Sequence, residues 1–261
     1  SGPKPAIAKV IVREVPSAAA QQALLERGDV DIAYDLGPKT LLDLEKGKKV
    51  KLVSTPLENA MWYVGMNTAK PPFDNVKVRQ AVAYALPYQK IMEVAVYGKG
   101  VPLFGGADKR GGWPRATDYQ TDIAKAKQLM AEAGMKEGFS TTLSFDQGQS
   151  LISEPIALLT QESLAAIGIK TSIEKIPGAN WRAALLRKDM PLLVNTFGGW
   201  LNYPEYFFFW AYHGQNAVFN TMSYQNPALD TLIDSARFEN DPKRYQEQVD
   251  AAIAIAYREV P

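Results

Sequence analysis

Residues 67–91 read NTAKPPFDNVKVRQAVAYALPYQKI, and their order spells a chain reversal followed by two helix starts. Pro71 and Pro72 lack N–H donors and predict a short extended entry. Asp74 stands where an N-cap belongs, its carboxylate able to accept from the free N–H groups of a first turn. Val78, Ala81, Val82, Ala85 and Leu86 then recur at helical spacing and define one buried stripe. Pro87 opens a second helix at its first position, with Ile91, Val94 and Ala95 as its apolar face and Gly98 as its stop. On physics alone, this is a helix–loop–helix of an α/β domain.

Working outward toward the N-terminus, residues 7–15, 30–34, 50–54 and 61–66 carry the alternation of strands. Between them, Ser17 caps a helix that stops at Gly28, and a second short helix with Leu41, Leu42 and Leu44 ends at Gly47. Toward the C-terminus, residues 98–117 contain six glycines and two prolines, the composition of a long surface loop. No Lys-Ser or Lys-Thr follows those glycines, so they do not form a phosphate-binding loop. Asp122 or Thr121 starts a helix closed by Gly134. Phe139, Thr141, Leu143 and Phe145 alternate as a strand, a helix runs from about 150 to 167, and Ile169, Thr171 and Ile173 form the next strand. Strand, helix, strand at this spacing is a parallel unit. Trp181, Ala184 and Leu185 mark a further helix, and residues 191–198 a further strand. Asn226–Pro227 and Asp241–Pro242 each place a capping side chain before a helix-opening proline. The expected class is α/β, with helices covering the sheet.

Composition narrows the function. Of 261 residues, 46% are hydrophobic and 22% charged, the usage of a folded globular chain. A net charge of +1 offers no footprint for nucleic acid. No apolar run approaches the ~20 residues that span a bilayer. Without cysteine there is no thiol chemistry, disulfide or cysteine-based zinc site. His213 is the single histidine, so a cage of several histidines is excluded. The first residues carry no secretion leader, which fits a cytosolic, mature or trimmed chain.

The string Asn67, Pro72–Phe73–Asp74, Val78–Arg79–Gln80–Ala81 and Tyr84–Ala85 closely resembles the signature of extracytoplasmic solute-binding proteins of ABC importers, in the bacterial family 5 class that carries peptides, nickel, opines and some sugars. The turn Glu26-Arg27-Gly28-Asp29-Val30-Asp31-Ile32-Ala33, the helix from Ala124 to Gly134 and the segment from Gln161 to Ile169 are similar to family segments in the same order, as are Trp200, Asn220, Tyr224 and Asp230. The resemblance implies a periplasmic-binding-protein-like architecture of two lobes closing on a ligand. It places residues 1–62 as a remnant of the first lobe and 63–261 as a nearly complete second lobe whose return strands are missing. It implies a binding subunit rather than an enzyme, periplasmic in location, needing no cofactor. Its expected partners are a small-molecule or peptide solute and ABC permease membrane subunits.

The most suggestive segment for a site is GGWLNYPEYFFFWAYH, residues 198–213, with two tryptophans, three tyrosines and three phenylalanines. Aromatics offer area with polar handles and suit a ligand cleft. Phe207–Trp210 fit a buried helix equally well. The expected ligand-binding residues are Trp200, Asn202, Tyr203, Glu205 and Arg182. By resemblance, peptide-binding members place an Asp where Asn202 stands, and dipeptide members an Arg where this chain reads Ser153-Glu154-Pro155. Both charged anchors of the short-peptide pattern are therefore missing, which leaves longer peptides, sugars and other polar solutes open. His213 lies near the position of a nickel-binding His in relatives, but one imidazole is a poor metal site, and a structural role is expected. Arg79, among core residues, is expected in a structural ion pair. Two other readings stand beside capture: a ligand-sensing domain of a transcriptional regulator, and a hydrolase using paired carboxylates across a cleft.

Overall fold

A computed structural model describes residues 6–53, 60–100, 119–199, 201, 203–216 and 218–261. The chain divides into two compact units, residues 1–55 and 56–261.

The smaller unit holds helices α1 (Ala18–Arg27) and α2 (Pro38–Gly47). Ser17 caps α1 by accepting the Ala20 N–H at 3.3 Å, and Gly28 ends it in the left-handed region at φ 77°, where glycine meets no Cβ penalty. The second helix ends one residue later than expected, because Lys48 rather than Gly47 takes the left-handed turn. The strands expected at 7–15, 30–34 and 50–54 do not form among the described residues. Alternation supplies the side-chain period of a strand, but the strand exists only where its backbone finds a ladder partner. No described segment pairs with these stretches, and Ile7, Val10, Ile11, Val12, Ile32, Tyr34 and Val53 stand 68% to 81% exposed.

The larger unit runs β1 (Ala60–Met66), α3 (Val76–Ala85), α4 (Tyr88–Val94), α5 (Ile123–Glu132), β2 (Phe139–Asp146), α6 (Ser150–Ala165), β3 (Ile169–Ile176), α7 (Gly178–Arg187), β4 (Leu192–Gly198), α8 (Pro204–Ala211), α9 (Pro227–Ala236) and α10 (Pro242–Glu259). Its four strands form one mixed sheet in the order β1-β4-β2-β3. The expected parallel unit β2–α6–β3 is present, and the chain returns through α7 to place β4 on the other side of β2, also parallel. Antiparallel β1 closes that edge, with Met61 opposite Phe197 and Met66 opposite Leu192. The starts of β2 and β3 touch so closely that a Cβ on Gly138, at φ 73°, would lie 1.9 Å from the Gly168 carbonyl oxygen.

Alternate side chains divide the sheet into two different faces. On one, Met66, Leu143, Phe145, Ile169, Leu192 and Val194 pack beneath Val78, Val82 and Ala85 of α3, Met130 of α5 and Ile156 and Leu164 of α6. On the other, Leu193 and Ile176 meet Trp181 and Ala184 of α7. That face also carries Tyr63, Ser144, Glu174 and Asn195; the Ser144 hydroxyl donates to Glu174 at 2.8 Å. A second core joins α8, α9 and α10 through Phe208, Leu229, Ile233, Val249 and Ile253. The predicted caps Asn226 and Asp241 both accept backbone N–H groups there.

The segment 67–91 is where sequence and structure differ in detail. Residues 71–74 turn rather than extend, with the Asp74 N–H on the Lys70 carbonyl and the Asn75 N–H on the Pro72 carbonyl; the Pro71–Pro72 bond is cis. This extra turn moves the helix start by one residue, so Asn75 rather than Asp74 caps α3, accepting the Lys77 N–H at 2.9 Å. The second helix begins at Tyr88, one residue later than expected, with Pro87 as its N-cap rather than its first residue; it ends at Val94, before Gly98, and Val94 points outward, 44% exposed. Asn67 is buried, and its amide donates to the carbonyls of Lys188 (2.9 Å) and Met190 (3.3 Å), tying the end of β1 to the entry of β4. Arg79 is buried as well. It donates to the carbonyls of Phe73 (2.9 Å), Asp74 (3.2 Å) and Glu259 (2.7 Å) and lies 3.5 Å from the Glu259 carboxylate. The expected ion pair is therefore a clamp between the segment and the end of α10. Most of the glycine-rich loop, residues 101–118, lies outside the described residues.

Candidate functional site

The parallel strands β2 and β4 pair as far as Phe145 and Val194; β2 ends at Asp146, and β4 runs on to Gly198, which pairs with Ala60 at the start of β1. At that edge, on the polar face of the sheet, opens a groove of about 270 Å³. Carboxyl ends of parallel strands are where α/β sheets characteristically leave a crevice, because the connections depart in different directions and cannot fill it. Here β2 leaves toward β3 through α6, whereas β4 leaves into the loop before α8.

Its floor is a set of hydroxyls and one amide. Asn195 in β4 donates its side-chain N–H to the Tyr63 hydroxyl at 2.9 Å. Tyr63 and the Thr221 hydroxyl lie 2.8 Å apart, and Thr221 donates to the Met222 sulfur at 3.1 Å. Burial pushes the Tyr63 phenol above its ordinary pKa, with the hydrogen bonds to Thr221 and Asn195 opposing the shift, so it stays a neutral donor and acceptor at physiological pH. Thr196 turns its hydroxyl onto the Met61 carbonyl across the β1–β4 pair. The walls are Trp181, Arg182, Leu185 and Leu186 of α7 on one side, and Phe197, Val218 and Phe219 on the other. Phe197 and Phe219 meet edge to face, with ring centres 6.1 Å apart. Asp146 and Gln149 border the groove at the end of β2. Asp146 accepts the Gly148 N–H at 2.8 Å and so holds the turn that leads into α6.

Of the residues expected from sequence, Arg182 lies in this groove. Glu205 sits in the first turn of α8 and accepts the Tyr245 hydroxyl at 2.6 Å, a contact between α8 and α10. Tyr203 precedes α8 and is 54% exposed. Trp200 and Asn202 lie outside the described residues. Phe207 and Phe208 are buried, so the aromatic run supplies core as well as surface. His213 is buried against Phe209 with ring centres 5.4 Å apart. Its Nδ1 accepts the Gln215 N–H at 3.2 Å, and its Nε2 lies 3.5 Å from Asp234. Among the described residues, no group of three or more His, Asp or Glu is placed to hold a metal ion.

Sequence reasoning missed Tyr63, Asn195 and Thr221. One signal was present for Asn195. A central parallel strand normally reads as an unbroken apolar run, and Asn195-Thr196 interrupts the run that starts at Leu192. Tyr63 and Thr221 are 158 positions apart, and nothing local announces their meeting.

The family profile of bacterial extracellular solute-binding proteins, family 5 (middle), matches residues 1–219. The glutathione-binding protein GsiB of Salmonella choleraesuis is 30% identical over 270 residues, covering 98% of this chain and 52% of its own length. The chain thus spans about half the length of the curated relatives it matches. Among solved structures, the binding protein AgaA of A. tumefaciens in complex with agropinic acid superposes with a TM-score of 0.78 at 25% identity, over 94% of this chain and 50% of that one. The dipeptide-binding protein of a Pseudoalteromonas species in complex with Met-Leu has a TM-score of 0.80 at 23% identity, over 95% and 50%. No helix among the described residues is long and apolar enough to cross a membrane. The profile match over residues 1–219 shows that the chain belongs to the family 5 bacterial extracellular solute-binding proteins.

Proposed function

We propose that this chain is about half of a two-lobed receptor that captures a peptide or similar polar solute outside the cytoplasmic membrane and hands it to an ABC permease. Residues 63–261 are the second lobe and residues 1–62 belong to the first. The observation that carries this reading is the open groove at the carboxyl ends of β2 and β4, floored by Tyr63, Asn195 and Thr221 and walled by aromatics. Such a surface binds by shape and hydrogen bonding. Hinge closure of the first lobe over it would bury the solute and present a closed form for docking on the permease. Relatives that bind glutathione and agropinic acid support a polar, peptide-sized ligand.

The same geometry speaks against hydrolysis by paired carboxylates. Among the described residues that line the groove, Asp146 is the single carboxylate, and it is engaged in a backbone turn. The exposed apolar stretches at 7–12 and 32–34 support the two-lobe reading, since strand-like segments of this kind await backbone partners. Calorimetry tests the proposal. The full-length gene product is expected to bind a short peptide one to one, and the 261-residue chain weakly or not at all. Tight one-to-one binding by the 261-residue chain would refute the requirement for a complete first lobe.

A further inference from the structure

We propose that His213 is a positioning residue for Phe219 and Thr221 of the groove, and that it acts only while its imidazole is neutral, so that proton uptake at this one side chain loosens the wall and weakens the hold on solute. The effect on solute rests on the capture reading; the switch in the wall does not.

His213 is buried, and its Nε2 has no hydrogen-bond partner among the described residues. Buried polar atoms are nearly always paired, so an orphan of this kind calls for an explanation. Nδ1 accepts the Gln215 N–H at 3.2 Å, and an accepting nitrogen carries no proton. The ring is thereby held as the neutral tautomer with its proton on Nε2. Nε2 lies 3.5 Å from a carboxylate oxygen of Asp234, longer than a good hydrogen bond but within reach of an ion pair. Nδ1 lies 3.9 Å from an oxygen of Asp230, the same oxygen that accepts the Gly214 N–H at 3.0 Å. These two carboxylates, both on α9, are the charged groups within ion-pair distance of the ring among the described residues. Arg237 stands one step away, 3.9 Å from Asp234 and 4.1 Å from the centre of the Phe209 ring. From α8 the imidazole meets that same uncharged ring.

A proton on Nδ1 changes the arrangement. The imidazolium has two N–H donors and no acceptor, so it can no longer take the Gln215 N–H. The two donors repel, while the two carboxylates draw the new charge toward α9. The turn after His213 then loses its first tie, and the groove wall hangs on that turn. The Asn216 N–H donates to the His213 carbonyl at 3.0 Å, and the Asn216 side chain accepts the Phe219 N–H at 3.2 Å. The Asn220 amide reaches back to the His213 carbonyl at 3.3 Å, and the Thr221 N–H donates to the Phe219 carbonyl at 2.8 Å. One hydrogen-bonded run thus leads from His213 to Phe219 in the wall and Thr221 in the floor.

The test uses the full-length gene product between about pH 8 and pH 5, the interval in which imidazoles as a class change charge. Histidine-selective NMR follows the His213 ring, identified by its absence from His213→Asn. Hydrogen exchange, corrected for the intrinsic effect of pH, follows Gln215, Phe219 and Thr221. Asparagine places an amide oxygen near the position of Nδ1, so this variant keeps an acceptor for the Gln215 N–H and cannot gain a proton. In the wild type, protection of these amides should fall about fivefold as the ring takes up its proton, the size of one lost hydrogen bond. In His213→Asn it should stay level. Asp234→Asn keeps the histidine and removes one attracting carboxylate, and should move the loosening to lower pH. Calorimetry with glutathione should show affinity falling about fivefold more on acidification in the wild type than in His213→Asn. Exchange that ignores the charge of the ring, or that varies equally in both proteins, overturns the switch. A wall that loosens while both proteins lose affinity equally overturns its effect on solute. A wild type that binds no glutathione at either pH counts against the capture reading, and the exchange arm still decides the switch.

Discussion

The two faces of the four-stranded sheet use the same strands for opposite ends. Beneath α3, α5 and α6, Leu143, Phe145, Leu192 and Val194 are at most 1% exposed and pack in one apolar cluster. One residue along each strand, Ser144 and Asn195 turn to the other side, joined there by Tyr63 and Glu174 in hydrogen-bonded pairs. That second face is only partly covered, by α7, and it opens into the groove. Removing apolar surface from water contributes roughly 25 cal/mol per Å², without direction, whereas a hydrogen bond adds only about 1 kcal/mol net but fixes orientation. The dry face therefore holds the fold together, and the wet face holds polar groups in fixed orientations, the role that the proposed capture of a solute asks of it.

Substitutions on the two faces should break this division in measurable ways. The largest effect is expected from Phe145→Ala on the dry face, a loss of about 3–5 kcal/mol from lost transfer energy and the cavity left behind. Urea unfolding reads it, and a loss below about 1.5 kcal/mol would mean that this face does not carry the fold. Next is the clamp on the signature segment. Arg79→Met keeps much of the volume but strands the carbonyls of Phe73, Asp74 and Glu259, and should cost about 2–3 kcal/mol. Hydrogen exchange should then show the C-terminal turn of α10 opening first, and a uniform loss of protection would contradict the clamp.

On the wet face, Asn195→Ala should cost only about 1 kcal/mol of stability. Solute affinity should nevertheless fall by about tenfold, the effect expected from one lost hydrogen bond in a closed site. Calorimetry and a melt on the same sample separate the two, and a stability loss without an affinity loss would reverse the roles of the faces. The smallest effect concerns pH. Burial raises the Tyr63 phenol, and it also raises Tyr88, Tyr212 and Tyr245, with Tyr119 and Tyr224 pushed up to about 12. A folded pKa above the unfolded value near 10 means that the native state holds its proton longer. That stability is fully present below pH ~10 and is lost as pH rises through the folded values. Absorbance at ~295 nm should show a late-titrating set of tyrosines, with the melting temperature dropping only above pH ~10. An onset near neutral pH would show that these phenols are not buried.

Much of the lobe was legible in the chain because it is written in local chemistry. Ser17, Asp122, Asn226 and Asp241 each cap the helix they precede, as a short polar side chain with free N–H groups ahead of it must. The β2–α6–β3 unit follows from the switch between period 2 and period 3.6. Asp74 was misread because the turns at 70–75 are closed by backbone bonds among neighbours, and these shift the cap to Asn75. The strands expected at 7–15 and 30–34 illustrate a different failure: periodicity reports which side chains share a face, not whether a partner backbone lies alongside. At the groove, Arg182 was singled out from sequence, but Tyr63 and Thr221 were not, since their significance exists only in each other's presence.

The sequence by itself determined the α/β class, most of the helix boundaries and the family, because caps, breakers, periodicity and the ordered 67–91 signature all act within a few residues of one another. Only the tertiary structure decided that Arg79 and Asn67 are internal braces, that Glu205 serves the α8–α10 contact, and that Tyr63, Asn195 and Thr221 form one floor. Those roles depend on hydrogen bonds between segments tens to hundreds of residues apart, and their geometry is set by how the sheet and helices pack rather than by any neighbouring side chain.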